Sequence, residues 1–221
     1  MFPAKPYVKE IQGTFLKNIG AKYYDYRFFN SYDSFICNSA YTNHWLNEYW
    51  KNSKKNRVIY PPVFSEEEIY GRYNESEKEN IIVSVGRFFV GAHSKKQLEM
   101  VQMFVNNKDK FKDYEYHLVG AVSNYEEDIN YLNKIKEIAA DADNVYIHEN
   151  YPFKELMNLY RKAKIFWHGT GYLVDENLEP EKMEHFGITT VEAMSFGAIP
   201  VVINKGGQKE TVQEGINGYR W

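Results

Sequence analysis

The 221-residue chain is 43% hydrophobic and carries 27 basic and 30 acidic residues. It can therefore bury a sizeable core, and its near balance of charge provides no strong field toward nucleic acid or a membrane surface. The single cysteine, Cys37, excludes an internal disulfide framework and is typical of a reducing compartment. The sequence shows neither a signal peptide nor an apolar run that could span a bilayer, so we expect a cytoplasmic protein. Peripheral contact of the full-length protein with the inner face of the membrane stays open.

The N-terminal part of the chain predicts only short elements. Residues 2–30 are rich in aromatic side chains and show no clear alternation of strand and helix. Residues 33–38 form a predicted strand that buries Cys37 as an inert thiol. Ser39 is the predicted N-cap of a helix that ends at Trp50.

A linker follows this part of the chain. Residues 57–60 form another short predicted strand, and Pro61-Pro62 ends it because proline neither continues a helix nor donates to a ladder. The acidic run at residues 65–80 is interpreted as a solvated connector.

From residue 80 onward, strands and helices alternate regularly. The predicted strands are residues 81–85, 116–120, 145–147, 165–167 and 201–203. The predicted helices are a stretch through Leu98, Val101 and Phe104, then residues 131–140, 153–163 and 189–196, and a last one opened by Gly206-Gly207. Strands that are apolar on both faces predict an α/β fold with a doubly wound parallel sheet, which binds ligands beyond the carboxyl ends of its strands. Such a domain normally adds a helix after the turn at residues 214–218, so we expect the chain to be cut short after this turn. We expect it to be cut short at its start as well.

The stretch from Glu184 to Glu192 is the strongest candidate for chemistry. Gly187 permits close backbone approach, and the exposed amides of the helix that starts there form an anion site. Eight residues at a helical rise span about 12 Å, which suits a ligand with hydroxyl groups at both ends and a diphosphate between them. From the spacing alone, a solvated Glu184 and an ion-paired Glu192 remain the favoured interpretation.

Short motifs around this stretch decide between the two interpretations. They are Glu184-x-Phe186-Gly187 with Glu192-Ala193-Met194, Val85-Gly86-Arg87 followed by a lysine, Leu118-Val119-Gly120, Gly197-x-x-Pro200, Gly206-Gly207-x-x-Glu210, Glu214-Gly215-x-Asn217-Gly218 and, upstream, Asn38-Ser39 and Tyr60-Pro61-Pro62-Val63. In this order and combination they resemble the motifs of the family 4 (group 1) glycosyltransferases, which have the two-domain GT-B fold. The resemblance covers residues 33–221.

The resemblance implies a role for each matching residue. Arg87 and Lys95 would hold the diphosphate of the sugar donor and offset charge on the departing nucleotide. Lys96, adjacent to Lys95, is the alternative for the phosphate contact. Glu184 would contact the transferred sugar, and Glu192 would accept hydrogen bonds from the ribose hydroxyls.

Further residues match positions that the family uses to bind the sugar donor. They are Gly86, Gly120, Tyr151, His185, Phe186, Gly187 and Ile188. Packing is the alternative for Tyr151. His185 replaces the glycine most common in the family, and it either donates to the ligand or only shapes the loop. Family members that also have E-H-F-G include mannosyltransferases, which favours a hexose. His93, in the loop after Arg87, could approach phosphate, although exposure alone explains it. His168, which ends a strand, is interpreted as structural.

As a whole, the resemblance implies a retaining hexosyltransferase that uses a UDP-, GDP- or ADP-sugar and a saccharide or lipid-linked acceptor, without a metal or other cofactor. Residues 1–62 would be the remnant of an N-terminal acceptor-side domain with its linker, and residues 63–221 the incomplete C-terminal nucleotide-sugar-binding domain. Because the acceptor side belongs to the other domain, we expect this chain alone to bind nucleotide sugars but to be inactive or slow in transfer. Two alternatives stay open: an isolated nucleotide-sugar-binding module without catalysis, and a GT-B nucleotide-sugar epimerase.

Overall fold

The computed structural model of the chain describes residues 15–50, 55–63 and 77–221. The chain divides into two units, Met1–Pro61 and Pro62–Trp221. The predictions for residues 1–14 and for most of the acidic connector lie outside the described residues. That the first unit belongs to an acceptor-side domain stays a prediction.

In its described residues, 15–50 and 55–61, the first unit has two helices and a two-stranded parallel sheet. Its elements are α1 (Phe15–Asn30), β1 (Phe35–Cys37), α2 (Ala40–Trp50) and β2 (Asn56–Val58). Ser39 caps α2 as predicted, because its Oγ accepts the backbone N–H of Thr42 at 3.0 Å. Cys37 is buried, and burial raises the pKa of its thiol, which agrees with an inert cysteine.

Helix α1 is an element that the sequence did not predict. Tyr23, Tyr24 and Tyr26 are each more than half exposed, so apolar residues lie on the solvent side of this helix as well. Aromatic residues on several faces remove the 3.6-residue period by which an amphipathic helix is recognised. None of the helices in the described parts of the chain is long and apolar enough to cross a membrane.

The second unit has the predicted alternation of strands and helices. Its elements in the range 77–221 are β3 (Glu79–Val85), α3 (Gln97–Asn106), β4 (Glu115–Gly120), α4 (Glu126–Ala139), β5 (Val145–Glu149), α5 (Phe153–Lys162), β6 (Ala163–His168), a 3₁₀ turn (Pro180–Lys182), α6 (Ile188–Ser195), β7 (Ile199–Val202), α7 (Gln208–Thr211) and β8 (Tyr219–Arg220). The six strands form one sheet in the order β5-β4-β3-β6-β7-β8, and all neighbours are parallel. The predicted doubly wound parallel sheet is therefore confirmed.

Alternate residues of the central strand pack into two cores, one on each face of the sheet. Ile81 and Val83 of β3 join a cluster with residues of α5 and α6. Ile82, between them, joins a second cluster with residues of α3 and α4. Because successive strand residues point to opposite faces, an apolar run in β3 requires helices on both sides.

The strand order places a crevice between β3 and β6. The chain runs outward from β3 through β4 to β5, then returns to the other side of β3 with β6. This reversal is the topological switch point at which doubly wound sheets bind ligands, beyond the carboxyl ends of the strands. The segments that leave those two ends start at Gly86 and Gly169.

Candidate active site

The start of α6 has the geometry of an anion site. Gly187 has a φ of 92°, a left-handed conformation that favours glycine. A Cβ at this position would also lie 2.7 Å from Nε2 of the buried Gln208. The backbone N–H groups of the half-exposed Ile188 and of Thr189 precede the first hydrogen bond of α6, which Thr190 donates to the carbonyl oxygen of Gly187, and they lie at the positive dipole end of the helix. Phe186, just before the turn, is buried and anchors it.

Glu184 stands three residues before this turn and binds two side chains through one oxygen. Lys95 Nζ lies 2.6 Å from Glu184 Oε2, and His168 Nε2 lies 3.0 Å from the same oxygen. Burial raises the pKa of Glu184, but hydrogen bonds from His168 and Lys95, together with the charge of Lys95, outweigh burial and hold that pKa well below its ordinary value. Glu184 is therefore an ionised carboxylate at neutral pH.

The loop after β3 delivers Lys95 to Glu184. A Cβ on Gly86 would lie 2.5 Å from Lys95 Cγ, so the glycine leaves room for the lysine side chain. Buried Gln97 fixes the loop, since its Nε2 donates to the carbonyl oxygens of Gly86 and Arg87 at 3.0 Å each. This accounts for Gly86 by packing, and its contact with a sugar donor stays a prediction.

The two candidate lysines point in different directions. Lys96 has a φ of 61° at the start of α3, and its Nζ lies 3.2 Å from Glu99. Because the backbone of Lys96 itself is left-handed, the side chains of Lys95 and Lys96 point apart. The structure brings Lys95, and not Lys96, into contact with Glu184.

Arg87 lies at the start of the same loop, two residues after the end of β3. It is exposed, and its guanidinium stands 4.9 Å from the centre of the Phe89 ring. The neighbouring Phe88 is fully buried and holds this part of the loop against the core. Arg87 is therefore an exposed cation on an anchored loop, and its contact with phosphate stays a prediction.

His185 packs against His93. Their ring centres are 4.6 Å apart in an edge-to-face arrangement, and His185 Nε2 lies 3.3 Å from the carbonyl oxygen of Glu181. Burial, together with the charge of His93, lowers the pKa of His185 to about 4. The structure thus gives His185 contacts that shape the loop, and a direct contact with a ligand stays a prediction.

Glu192 faces a tyrosine that the sequence did not single out. Tyr160 is fully buried, and its hydroxyl donates to Glu192 Oε2 at 3.2 Å. Burial raises the pKa of Glu192 from its ordinary value. Tyr160 orients this carboxylate from α5, thirty-two positions earlier in the chain, so no local pattern could have indicated the contact.

Gly120 and Tyr151 have clear structural roles. A Cβ on Gly120 would lie 2.1 Å from the carbonyl oxygen of Gly86. The close approach of the ends of β3 and β4 therefore requires glycine at position 120. Tyr151 packs against His148, with ring centres 4.4 Å apart, and lines a cavity with His117. The structure therefore agrees with the packing interpretation of Tyr151, and its contact with base or ribose stays a prediction.

The lowered pKa of His185 predicts a pH-dependent stability. Between about pH 6.5 and 4 the unfolded chain protonates this histidine while the folded chain does not, so stability falls as the pH drops through this range. We expect His185→Gln to show a smaller loss of unfolding free energy than the parent between pH 7 and pH 5. Urea unfolding at these two values measures the difference. Equal losses of unfolding free energy in the parent and in His185→Gln would contradict the lowered pKa of His185.

Solved structures of glycosyltransferases share this architecture. The structure superposes on that of Anabaena HepE in complex with UDP, with a TM-score of 0.65 and 15% identity. The superposition covers 94% of this chain and 54% of the HepE chain. It also superposes on the pneumococcal O-GlcNAc transferase GtfA in complex with UDP and GlcNAc, with a TM-score of 0.64 and 19% identity. Here the superposition covers 90% of this chain and 36% of the GtfA chain. At these identities the likeness shows the fold.

Curated relatives include eukaryotic mannosyltransferases. The chain is 27% identical over 184 residues to the GDP-Man:Man(3)GlcNAc(2)-PP-Dol alpha-1,2-mannosyltransferase of Xenopus laevis, with 80% of this chain and 35% of the relative covered. It is 30% identical over 201 residues to the enzyme of the same name from Yarrowia lipolytica, covering 83% of this chain and 29% of the relative. The chain thus spans about a third of the length of these relatives.

A family model fixes the wider assignment. The model described as "Glycosyl transferases group 1" matches residues 65–220, which is more than half of the chain and includes the whole crevice between β3 and β6. The same residues carry the glutamate pair, the Gly187 turn and the lysine that meets Glu184. The chain therefore belongs to the group 1 glycosyltransferases.

Proposed function

We propose that the protein transfers a hexose from a nucleotide-diphosphate sugar to a saccharide or lipid-linked acceptor, and that this chain binds the sugar donor. The contact between Lys95 and Glu184 at the start of α6 carries this proposal. Lys95 is a cation that can bind phosphate, and Glu184 is a carboxylate that can bind sugar hydroxyls. They lie together at the switch point where doubly wound sheets bind nucleotides. The mannosyltransferase relatives, whose names specify GDP-mannose and a lipid-linked saccharide, support this choice of substrates.

Each part of the crevice suits one part of the ligand. The diphosphate is expected at the amides that follow Gly187, with Lys95 and Arg87 offsetting its charge as the nucleotide departs. The hexose lies toward Glu184 and the ribose toward Glu192. Glu192 keeps one carboxylate oxygen beyond the one that Tyr160 occupies, and a carboxylate can accept from two vicinal hydroxyls.

We further propose that the transfer retains the anomeric configuration. A carboxylate whose pKa lies well below its ordinary range is a poor general base, and Glu184 is in that state. The site then works by positioning and charge stabilisation, as in a front-face substitution assisted by the phosphate of the sugar donor. The anomeric coupling constant of the product, measured by NMR with the full-length protein, distinguishes retention from inversion.

Two glutamate variants test the placement of the ligand. We expect Glu192→Ala to weaken the binding of GDP or UDP by about tenfold, because the ribose loses charge-assisted hydrogen bonds. Glu184→Ala is expected to bind the bare nucleotides nearly as the parent does, but to lose the additional affinity for GDP-mannose or UDP-glucose. Isothermal calorimetry of the chain with these four ligands measures both effects.

A matched control uses a carboxylate far from the crevice. Glu137 is exposed on α4, so Glu137→Ala is expected to bind all four ligands like the parent. Parent-like binding by both Glu184→Ala and Glu192→Ala would show that the ligand site is elsewhere. Incubating the full-length protein with a nucleotide sugar alone separates transfer from epimerisation, since only an epimerase changes its substrate without an acceptor.

A further inference from the structure

His168 is a deeply buried polar residue at the crevice. Its side chain is 2% exposed at the carboxyl end of β6, and Nε2 lies 3.0 Å from Glu184 Oε2. Thr170 Oγ1 lies 3.3 Å from the same nitrogen. The other ring nitrogen, Nδ1, is buried and has no hydrogen-bond partner among the described residues. One of its two nitrogens is therefore committed to Glu184.

The protonation state of His168 follows from these contacts. Burial lowers the pKa of His168, and a proton on Nδ1 would be buried without an acceptor. The imidazole is therefore neutral at pH 7, and because ionised Glu184 can only accept, the single proton lies on Nε2. His168 donates one hydrogen bond to Glu184 and adds no net charge to the crevice.

On the proposed placement of the ligand, Lys95 is no longer a partner of Glu184 alone, because its ammonium also faces the diphosphate. Its Nζ lies 2.6 Å from Glu184 Oε2, three residues before the Gly187 turn, so a diphosphate bound at the start of α6 competes with Glu184 for the same ammonium. When Lys95 turns toward phosphate, Glu184 loses its charged partner. A partly buried carboxylate that loses a charged partner becomes more costly to keep ionised, unless another donor stays in place.

We propose that His168 is a positioning residue for the sugar subsite, which holds Glu184 Oε2 through its Nε2–H while Lys95 moves to the diphosphate. The remaining oxygen, Oε1, is then presented to the hexose hydroxyls in a fixed direction. Because His168 is buried under the site, it acts on the sugar only through Glu184. This inference rests on the proposed sugar-donor site and adds His168 as the residue that positions Glu184.

Substitutions at His168 separate this role from simple packing. His168→Phe keeps a flat ring but removes the donor, whereas His168→Gln keeps an amide N–H at nearly the position of Nε2. The readout is the sugar preference, defined as the Kd for GDP divided by the Kd for GDP-mannose, and likewise for UDP and UDP-glucose. Calorimetry measures this ratio, and circular dichroism confirms that each variant is folded.

We expect His168→Phe to lower the sugar preference by about tenfold, with the Kd for the bare nucleotide within about twofold of the parent. His168→Gln is expected to restore most of the preference. If His168→Phe does not fold, His168→Asn takes its place, since its shorter amide does not reach Glu184. A packing role alone predicts no difference between the Gln variant and the variant without a donor near Glu184.

The pH profile provides an independent readout. The groups that face Glu184 are Lys95, His168, His93 and His185, from the loop after β3, the end of β6 and the turn before α6. Removing the His168 donor raises the pKa of Glu184, so the sugar preference of His168→Phe should fall between pH 7.5 and 5.5 more steeply than that of the parent.

The possible results are distinguishable. If the parent shows a sugar preference that Glu184→Ala loses and His168→Phe keeps at every pH, the positioning role is overturned while the proposed function stands. If the parent binds no nucleotide sugar more tightly than the bare nucleotide, the proposed function itself fails. A preference lost in His168→Phe and restored in His168→Gln supports the inference.

Discussion

Lys95→Met is expected to weaken the binding of GDP or UDP by about 10- to 100-fold, whereas Lys96→Met should change it by less than about twofold. The lysine stem of Lys95 crosses Gly86 and brings its ammonium to Glu184 at the start of α6. A hydrogen bond between an ammonium and a phosphate has both partners charged, and such bonds are about twice as strong as neutral ones. Lys96 pairs with Glu99 instead, so its loss removes only a partly exposed ion pair.

Calorimetry of the two lysine variants with the same nucleotides measures this difference. Methionine keeps much of the length and apolar volume of lysine, so the packing of its stem over Gly86 is retained. Salt offers a second check, because binding by the parent should weaken at high ionic strength more than binding by Lys95→Met. Equal losses in the two variants, or a larger loss in Lys96→Met, would contradict the placement of the diphosphate.

Gly120→Ala is expected to destabilise the second unit by about 3 kcal/mol or more. The added Cβ would lie 2.1 Å from the carbonyl oxygen of Gly86 and 3.1 Å from the Phe88 ring. The nearest atom belongs to the backbone and cannot rotate away, so the carboxyl ends of β3 and β4 must separate. The crevice lies at those ends, and nucleotide binding should weaken together with stability.

Chemical unfolding measures the stability change, with Gly20→Ala as the control. Gly20 lies in α1, where a Cβ would have no neighbour within 4 Å among the residues that the structure describes. Alanine favours a helix over glycine, so this control should be neutral or stabilising by up to about 1 kcal/mol. Wild-type stability in Gly120→Ala would show that the two strand ends are less closely packed than the structure indicates.

Much of the fold could be predicted from the sequence because its signal is local. The apolar run of β3 and the amphipathic pattern of α3 each fix an element and its buried face within a few residues. The start of α6 was predicted for the same reason, since a glycine before a helical pattern marks a turn. Helix α1 was missed because aromatic residues around its circumference cancel the period that reveals helices.

The contacts of the site could be predicted only in part. Motif order placed Lys95 and Glu184 in one site, but that they touch depends on a fold that joins positions 89 residues apart. His168 and Tyr160, which hold the two glutamates, were interpreted as structural or not singled out. Nothing in the sequence near either residue indicates the partner, because one contact closes the long loop between β6 and α6 and the other joins helices α5 and α6.

The central claim is that the start of α6 binds the diphosphate of a nucleotide sugar between Glu184 and Glu192. A crystal structure of the chain with GDP-mannose or UDP-glucose tests it most directly. The account predicts phosphate oxygens within hydrogen-bond distance of the amides that follow Gly187, and Lys95 Nζ turned from Glu184 toward phosphate. A nucleotide sugar bound elsewhere, with the contact between Lys95 and Glu184 unchanged and the start of α6 unoccupied, would contradict it.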